Sequence, residues 1–258
     1  MNLVEALRAE DAAVAVVGAG GKKTTMYALA RRLDRPVITA AVRIPIFDND
    51  AARVVTTDDP VAALAAADDD DFPLGLVAAR EREDRYLGYD AAVVADLIDA
   101  NPRATLIKAD GARMRDFKAP KETEPQIPRN ADVVVPVASA HVVGEPLDET
   151  LVHRPERVAA VAQDAGVDAA VGEAITPDVV GAVLASRDGG LKDVPTGATA
   201  IPLINKVDDE ADAAAAREIA AAFADHLDAD RPAEVGVDVP HVVLARMIDA
   251  AVVDVVSL

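Results

Sequence analysis

Ala12-Ala13-Val14-Ala15-Val16-Val17-Gly18-Ala19-Gly20-Gly21-Lys22-Lys23-Thr24-Thr25 is the stretch on which the fold turns. Residues 12–17 form a short, almost wholly apolar run, the pattern of a parallel strand buried on both faces. A glycine loop follows. Met26, Leu29, Ala30 and Leu33 then recur at helical spacing, and residues 36–41 read as the next strand. Strand, glycine loop, helix and strand in that order make a βαβ unit.

Such a loop suits phosphate. Glycines let several backbone N–H groups turn toward one point, a helix N-terminus adds its dipole, and a lysine reaches the terminal phosphates. The full pattern is G-x-x-x-x-G-K-[ST]. Gly21-Lys22 supplies the G-K pair, but Lys23 follows it and Val16 stands where the first glycine belongs. Read one place later, Lys23-Thr24 is the K-[ST] pair without its glycine. A dinucleotide turn, G-x-G-x-x-G, matches Gly18 and Gly20, but Lys23 takes the third place. No acid closes the second strand, Thr39-Ala40-Ala41-Val42, to hold a ribose. A turn without a ligand would leave two adjacent lysines opposing the helix dipole. Gly18, Gly20, Gly21, Lys22, Lys23, Thr24 and Thr25 are therefore expected to hold GTP or ATP, with Thr24 and Asp110 on any Mg²⁺.

Working outward, residues 90–100 form an amphipathic helix closed by Asn101-Pro102, and strand 105–109 runs into Asp110-Gly111. Residues 111–130 form a long proline-bearing loop of the kind that usually serves function. Strand 132–139, helix 155–165 and a helix capped by Thr176 and ending at Gly189-Gly190 come next. Strand 198–204 leads into helix 209–227, and the last thirty residues hold one or two short strands. Residues 43–90 are an elaborated segment with strands near 53–57 and 74–77 and a helix over 59–68. With no repeat and no linker, the expectation is one α/β domain over residues 1–258: a doubly wound, mostly parallel sheet of P-loop NTPase type.

A second motif, Asn205-Lys206-Val207-Asp208, closes a strand late in the chain, where base-reading loops of GTP-binding proteins lie. A carboxylate at Asp208 can accept guanine N1–H and N2–H₂, which adenine does not offer together. Asn205 can donate to the N7/O6 edge or hold neighbouring loops, and the Lys206 stem can lie along the base. The competing reading makes Asp208 the cap of the following helix. Asp110, at the end of a buried strand, fits the place of a carboxylate beside a metal–phosphate site. After it, Arg113, Arg115, Lys118 and Lys121 form a basic cluster suited to clamping an anionic substrate, unless Glu122 and Glu124 merely balance it. His153 is a candidate acid/base group or a structural histidine. His141, His226 and His241 are too scattered to suggest a metal cluster.

Composition narrows the partners. Net charge is −19, with 45 Asp plus Glu against 26 Lys plus Arg, so nucleic acid and anionic membranes are expected to be repelled. The acidic, lysine-poor, alanine-rich mixture resembles chains adapted to a high-salt cytosol, where repulsion is screened within a few ångströms. Of only seven lysines, six fall in the motifs above, with Lys192 outside them. There is no cysteine, so disulfides and thiolate metal sites are excluded. No leader and no spanning segment are read, and a cytoplasmic location is expected.

The motifs taken together resemble the YqeC family. The resemblance runs through Gly18-Ala19-Gly20-Gly21-Lys22, Ala109-Asp110-Gly111-Ala112-Arg113, Lys118-Ala119-Pro120, Glu124-Pro125 and Ile127-Pro128. It continues through residues 144–147, Val152-His153-Arg154-Pro155-Glu156, Ile175-Thr176-Pro177 and residues 195–208. It implies a P-loop nucleotide binder that assists maturation of a selenium-dependent molybdenum hydroxylase or its cofactor. The partner would be that hydroxylase or its maturation machinery. An ATP- or GTP-dependent small-molecule kinase or ligase, and a nucleotide-gated chaperone without turnover, are the alternatives. Three positions depart from the family: Lys23 for a hydroxyl residue, Ala40-Ala41 for a threonine-rich stretch, and Lys108 for an acid. All lie where Mg²⁺ would be held, and Lys22, Lys23 and Lys108 could supply its positive charge instead.

Overall fold

The computed structural model describes residues 1–229 and 237–258. The first helix, α1 (Leu3–Ala6), is a single turn closed by a reciprocal capping box between Asn2 and Glu5. The apolar run becomes β1 (Ala13–Gly18), buried along nearly its whole length. α2 (Lys22–Ala30), β2 (Val37–Ala40), β3 (Ile44–Pro45) and β4 (Arg53–Thr56) follow. Then come α3 (Pro60–Ala65), β5 (Leu74–Val77), β6 (Ala79–Arg82), β7 (Arg85–Leu87) and α4 (Ala91–Ala100). The middle of the chain gives β8 (Thr105–Lys108), β9 (Phe117–Lys118), β10 (Val133–Ser139), β11 (Val152–His153) and α5 (Pro155–Asp164). The last part gives α6 (Pro177–Ala185), β12 (Thr199–Ala200), β13 (Leu203–Asn205), α7 (Glu210–Ala229), β14 (His241–Arg246) and β15 (Ala251–Ser257).

The main sheet runs β15-β14-β13-β10-β1-β8-β2-β5-β4, with β12 beside β10. Its strands pair in parallel except β14 with β15. Strand order reverses about β1: the chain first builds outward past β8 to β2, then crosses back to β10, β13 and β14. Crevices at such a switch point, outside the carboxyl ends of the strands, are where α/β sheets bind ligands. The two-residue alternation of β1 explains the layers. Val14 and Val16 join the cluster under α1 and α2, while Ala13, Ala15 and Val17 face the opposite side, where α3 to α7 lie. The expected α/β, doubly wound, mostly parallel sheet is therefore present, with helices on both faces.

Several boundaries differ from the sequence reading, each for a local reason. α2 starts at Lys22, one turn before its apolar periodicity, because its polar first turn faces a cleft. Strand 198–204 is broken: Pro202 has no N–H to give the ladder, so β12 and β13 are separate. α6 ends at Ala185, ahead of Gly189-Gly190, and α3 spans only Pro60–Ala65. Within residues 43–90, β4 and β5 extend the main sheet. β3, β7 and β6 form a separate three-stranded sheet that was not legible in the sequence.

On the far face α6 is buried throughout Val179–Ala185 and crosses α7 at very short range. A Cβ added at Gly181 would lie 2.6 Å from both Ala222 Cβ and Phe223 N. Gly181→Val should therefore destabilise by about 1–3 kcal/mol through overpacking. The readout is a lower urea midpoint at unchanged slope. An unchanged midpoint would mean that the crossing has room to give.

Candidate functional site

At the carboxyl ends of the strands lies a cleft of about 1250 Å³. The glycine loop forms its floor because only glycine fits two of its turns. Gly18 sits at φ +86° with the Val137 carbonyl where a Cβ would project, and Gly21 at φ +142° with the Asn205 amide there. The first loop amides are spent on the scaffold. Gly18 N–H donates to Asp110 Oδ2 at 2.9 Å, Ala19 N–H to Val137 O at 2.9 Å, and Gly20 N–H to Arg115 O at 3.0 Å. The open donors come one turn later. α2 has no side-chain cap and no acid in its first turn, and helix geometry leaves the amides of Lys22, Lys23 and Thr24 without an intrahelical acceptor. The anion-binding end has thus moved from the loop into the helix start. Thr25 is buried, and its Oγ1 donates to Gly21 O at 3.1 Å.

Beneath the loop runs a buried chain of charges. Lys22 Nζ donates to Gly18 O and Asp110 Oδ1. Lys118 Nζ lies 2.9 Å from Asp110 Oδ2 and 2.9 Å from Glu124 Oε2, and Arg154 reaches the same Glu124 oxygen at 3.0 Å. Burial alone would raise the Asp110 carboxyl, but Lys22 and Lys118 outweigh it and hold it below the ordinary range. Burial pulls the Lys22 amine down while Asp110 opposes it, and their direct contact marks a charged pair. Lys108 sits beside them without a carboxylate. Its amine donates to Arg43 O at 2.9 Å and Asp110 O at 2.6 Å, and burial, with Lys22 nearby, lowers it to about 7.

This arrangement revises two expectations. Asp110 does not offer Mg²⁺ a ligand, since both its oxygens already accept from ammonium groups and one also from a backbone N–H. Thr24 lines the cleft from the first turn of α2, with no acidic partner beside it in that turn. With the Asp110 oxygens so committed, these residues do not fit a direct magnesium site. Lys118, expected in a substrate clamp, is instead buried in the charge chain. Arg113, Arg115 and Lys121 do line the cleft. The segment bearing the two arginines is fixed there by Gly20 N–H on Arg115 O and by Ser139 N–H on Asp116 O at 3.2 Å.

The second motif reaches the same cleft. Asn205 is buried; its Nδ2 donates to Gly20 O at 2.7 Å and its Oδ1 accepts from Met247 N–H at 2.9 Å. It therefore binds the glycine loop to the β14–β15 turn, which occupies its carbonyl and one of its two amide N–H groups. Lys206, at φ +61°, folds back to pair with both oxygens of Asp116 at 2.7 and 2.8 Å. Asp208 lines the cleft with its carboxylate about half exposed, 3.3 Å from His141 Nε2. It is not the helix cap: Asp209 Oδ1 accepts from Asp212 N–H at 2.9 Å and does that work. His141, read as isolated in the sequence, comes together with Asp208 and Asp212 so that their ligand atoms lie within 4.8 Å of one another. Asp212 is already engaged there, accepting from the N–H groups of Asp208 and Asp209.

His153 is buried at the cleft wall. Desolvation first, then Arg154, Lys118 and Arg113, lower its pKa from 6.5 to about 4. At neutral pH it is an uncharged imidazole, able to accept a proton but not to act as an acid. Arg43, Arg85 and Arg246 also line the cleft and were missed by the sequence reading. They stand in weakly patterned segments, and only the tertiary fold brings them in.

The doubly wound sheet, its strand order about β1 and the glycine loop at the end of that strand define an α/β protein whose fold is consistent with the P-loop NTPase type. A family model described as YqeC protein matches residues 14–156, more than half of the chain, and the chain belongs to that family. It is similar to the protein described as "Uncharacterized protein YqeC" of Escherichia coli (strain K12), 26% identical over 204 residues covering 75% of each chain.

Two outcomes follow from the charge geometry. Asp110→Ala removes the counter-ion of two buried ammonium groups and should cost about 3–5 kcal/mol. A urea titration showing less than about 1 kcal/mol would refute a folding role for the carboxylate. His153 should titrate near pH 4 by NMR. Because its folded pKa is depressed, its contribution to stability is present above pH 6.5 and is lost as pH falls toward 4. A midpoint near 6.5 would overturn the buried, neutral assignment.

Proposed function

We propose that this protein is a nucleotide-binding accessory factor, with GTP as its ligand, that assists maturation of a molybdenum hydroxylase or its selenium/molybdenum cofactor. Charge carries the nucleotide part of this reading. The cleft gathers eleven of the 26 Lys and Arg residues against three of the 45 Asp and Glu, in a chain of net charge −19. Among the described residues, Lys23, Lys108, Arg113, Arg115 and Lys121 line it without an ion pair. Unmatched cations around the open amides of a helix start favour a phosphate chain. On this reading the amides of Lys22, Lys23 and Thr24 hold phosphate oxygens, while Lys23, Arg113 and Arg115 supply charge from above.

Guanine selectivity rests on Asp208. With Asn205 committed to the scaffold, base reading falls to a carboxylate at the cleft rim, which rewards the N1–H and N2–H₂ edge and penalises adenine. The accessory role rests on the family. Binding with little or no turnover is favoured by the Asp110 geometry, which ties up the carboxylate that would otherwise serve a metal–phosphate centre. Lys23 and the open helix-start amides then do part of the neutralising that Mg²⁺ does elsewhere.

Isothermal titration of GTP, GDP and ATP, each with Mg²⁺ and with EDTA, in molar KCl, tests this reading. GTP and GDP should bind under both conditions. Asp208→Asn should weaken guanine nucleotides tenfold or more and leave ATP unchanged, whereas Lys23→Ala should weaken all three. Equal affinity for ATP and GTP would move the assignment to a small-molecule kinase or ligase. Loss of all binding in EDTA would defeat the role given to Lys23 and those amides, and no binding in either condition would defeat the nucleotide assignment.

A further inference from the structure

We propose that the cleft binds a second ligand beside the nucleotide, a small molecule bearing a phosphate group. It would sit over the carboxyl ends of β8 and β2 and be held by Lys108 and Arg85. The position beside a nucleotide rests on the reading above; the anion site itself does not.

The sheet order separates two halves of the cleft. Asp208 follows β13 and the glycine loop follows β1, so a nucleotide spanning them occupies the half over β13, β10 and β1. On the other side of β1 come β8 and β2, and there the same cleft is lined by Lys108, Arg43, Pro45, Arg85, Leu87 and Gln126. Pockets for one small ligand measure roughly 300–1,000 Å³. This one, at about 1250 Å³, exceeds that range.

The far wall is built firmly enough to be a site. It belongs to the β3-β7-β6 sheet. Phe47 joins that sheet to α2, stacking on Tyr27 at 6.2 Å between ring centres and meeting Tyr86 edge-on at 5.6 Å. Three of only seven Phe and Tyr residues are spent on this joint. Tyr86 Oη donates to Asp48 at 2.8 Å, and Tyr89 N–H donates to Ala40 O at 2.9 Å where the segment returns to β2.

The site's charge is unmatched. Lys108 is 6% exposed, and its amine donates to two backbone carbonyls but contacts no carboxylate. A charged amine carries three donors, so one N–H is left to the cleft. Burial draws the amine down to about 7, and a bound anion would hold it in its charged form. Arg43 is neutralised by Glu81 in a bidentate pair, which among the described residues leaves Lys108 as the unpaired cation here, with Arg85 paired at 3.3 Å to its chain neighbour Asp84. Lys108 and the Arg85 guanidinium together suit a dianion with several acceptor oxygens better than a carboxylate. Pro45 and Leu87 offer apolar contact to the rest of the molecule.

The test saturates the protein with a non-hydrolysable GTP analogue in EDTA and then titrates inorganic pyrophosphate by calorimetry. One further binding event is expected. Lys108→Met and Arg85→Ser should each weaken it tenfold or more while nucleotide affinity changes less than twofold. Arg85 is partly exposed, so its variant stays informative if Lys108→Met does not fold. Absence of a second event, or pyrophosphate affinity unchanged by Arg85→Ser, overturns the proposal. If no nucleotide binds, pyrophosphate is titrated into the unliganded protein. A site that survives Lys23→Ala but is lost in Arg85→Ser upholds the inference even as the nucleotide reading fails. Loss of all binding in Lys23→Ala overturns it.

Discussion

The carboxylate of Asp110 joins the parts that must be aligned for this cleft to exist. It lies two residues past the end of β8, accepts from the Gly18 amide at the end of β1, and is gripped by Lys22 from α2 and Lys118 from β9. Glu124 extends the chain of charges to Arg154, at the start of α5. Two strands, a helix and the long loop are thereby referred to one buried atom pair. Desolvating these groups is expensive, and the arrangement holds only because each charge has an opposite neighbour and both Asp110 oxygens have donors. Removing one member strands the rest, which is why the glycine loop and the segment 111–130 cannot be considered apart.

Above that network the electrostatics invert. The chain is strongly acidic overall, yet eleven of the fourteen charged side chains that line the cleft are Lys or Arg. Surface arginines such as Arg31 and Arg53 pair singly with acids, Asp50 and Asp71, while several cleft cations have no such partner among the described residues. A concave basic surface inside a negative molecule focuses potential on one place and attracts compact anions, while the exterior disfavours polyanions such as nucleic acid. Both ligands proposed for the cleft follow from this contrast, one from its amide-bearing floor and one from the lysine buried at its far end.

The fold was largely legible from local pattern. The apolar run 12–17 and the strands near 53–57 and 74–77 formed close to where alternation placed them, as did Thr176 as a helix cap. The misreadings have physical causes. Pro202 interrupts a ladder in a way that an apolar run conceals, and the β3-β7-β6 sheet is too short for periodicity to register. Within the site, residue type was a good guide to which side chains gather and a poor one to what they do. Asn205 and Lys206 arrive at the cleft and Lys118 lies beneath it, but each is turned to another protein group.

The sequence by itself determined the βαβ opening, the doubly wound class and the chemical character of the loop, because these depend on spacing along a few residues. It also marked the lysines, whose scarcity made their positions informative. Only the tertiary structure decided which charges are paired. Lys22 and Asp110 are 88 positions apart, Lys206 and Asp116 are 90 apart, and Lys108 finds two carbonyls where it lacks an acid. A charge acquires its role from the groups within a few ångströms of it, and in a parallel sheet those groups come from distant strands brought side by side by crossovers.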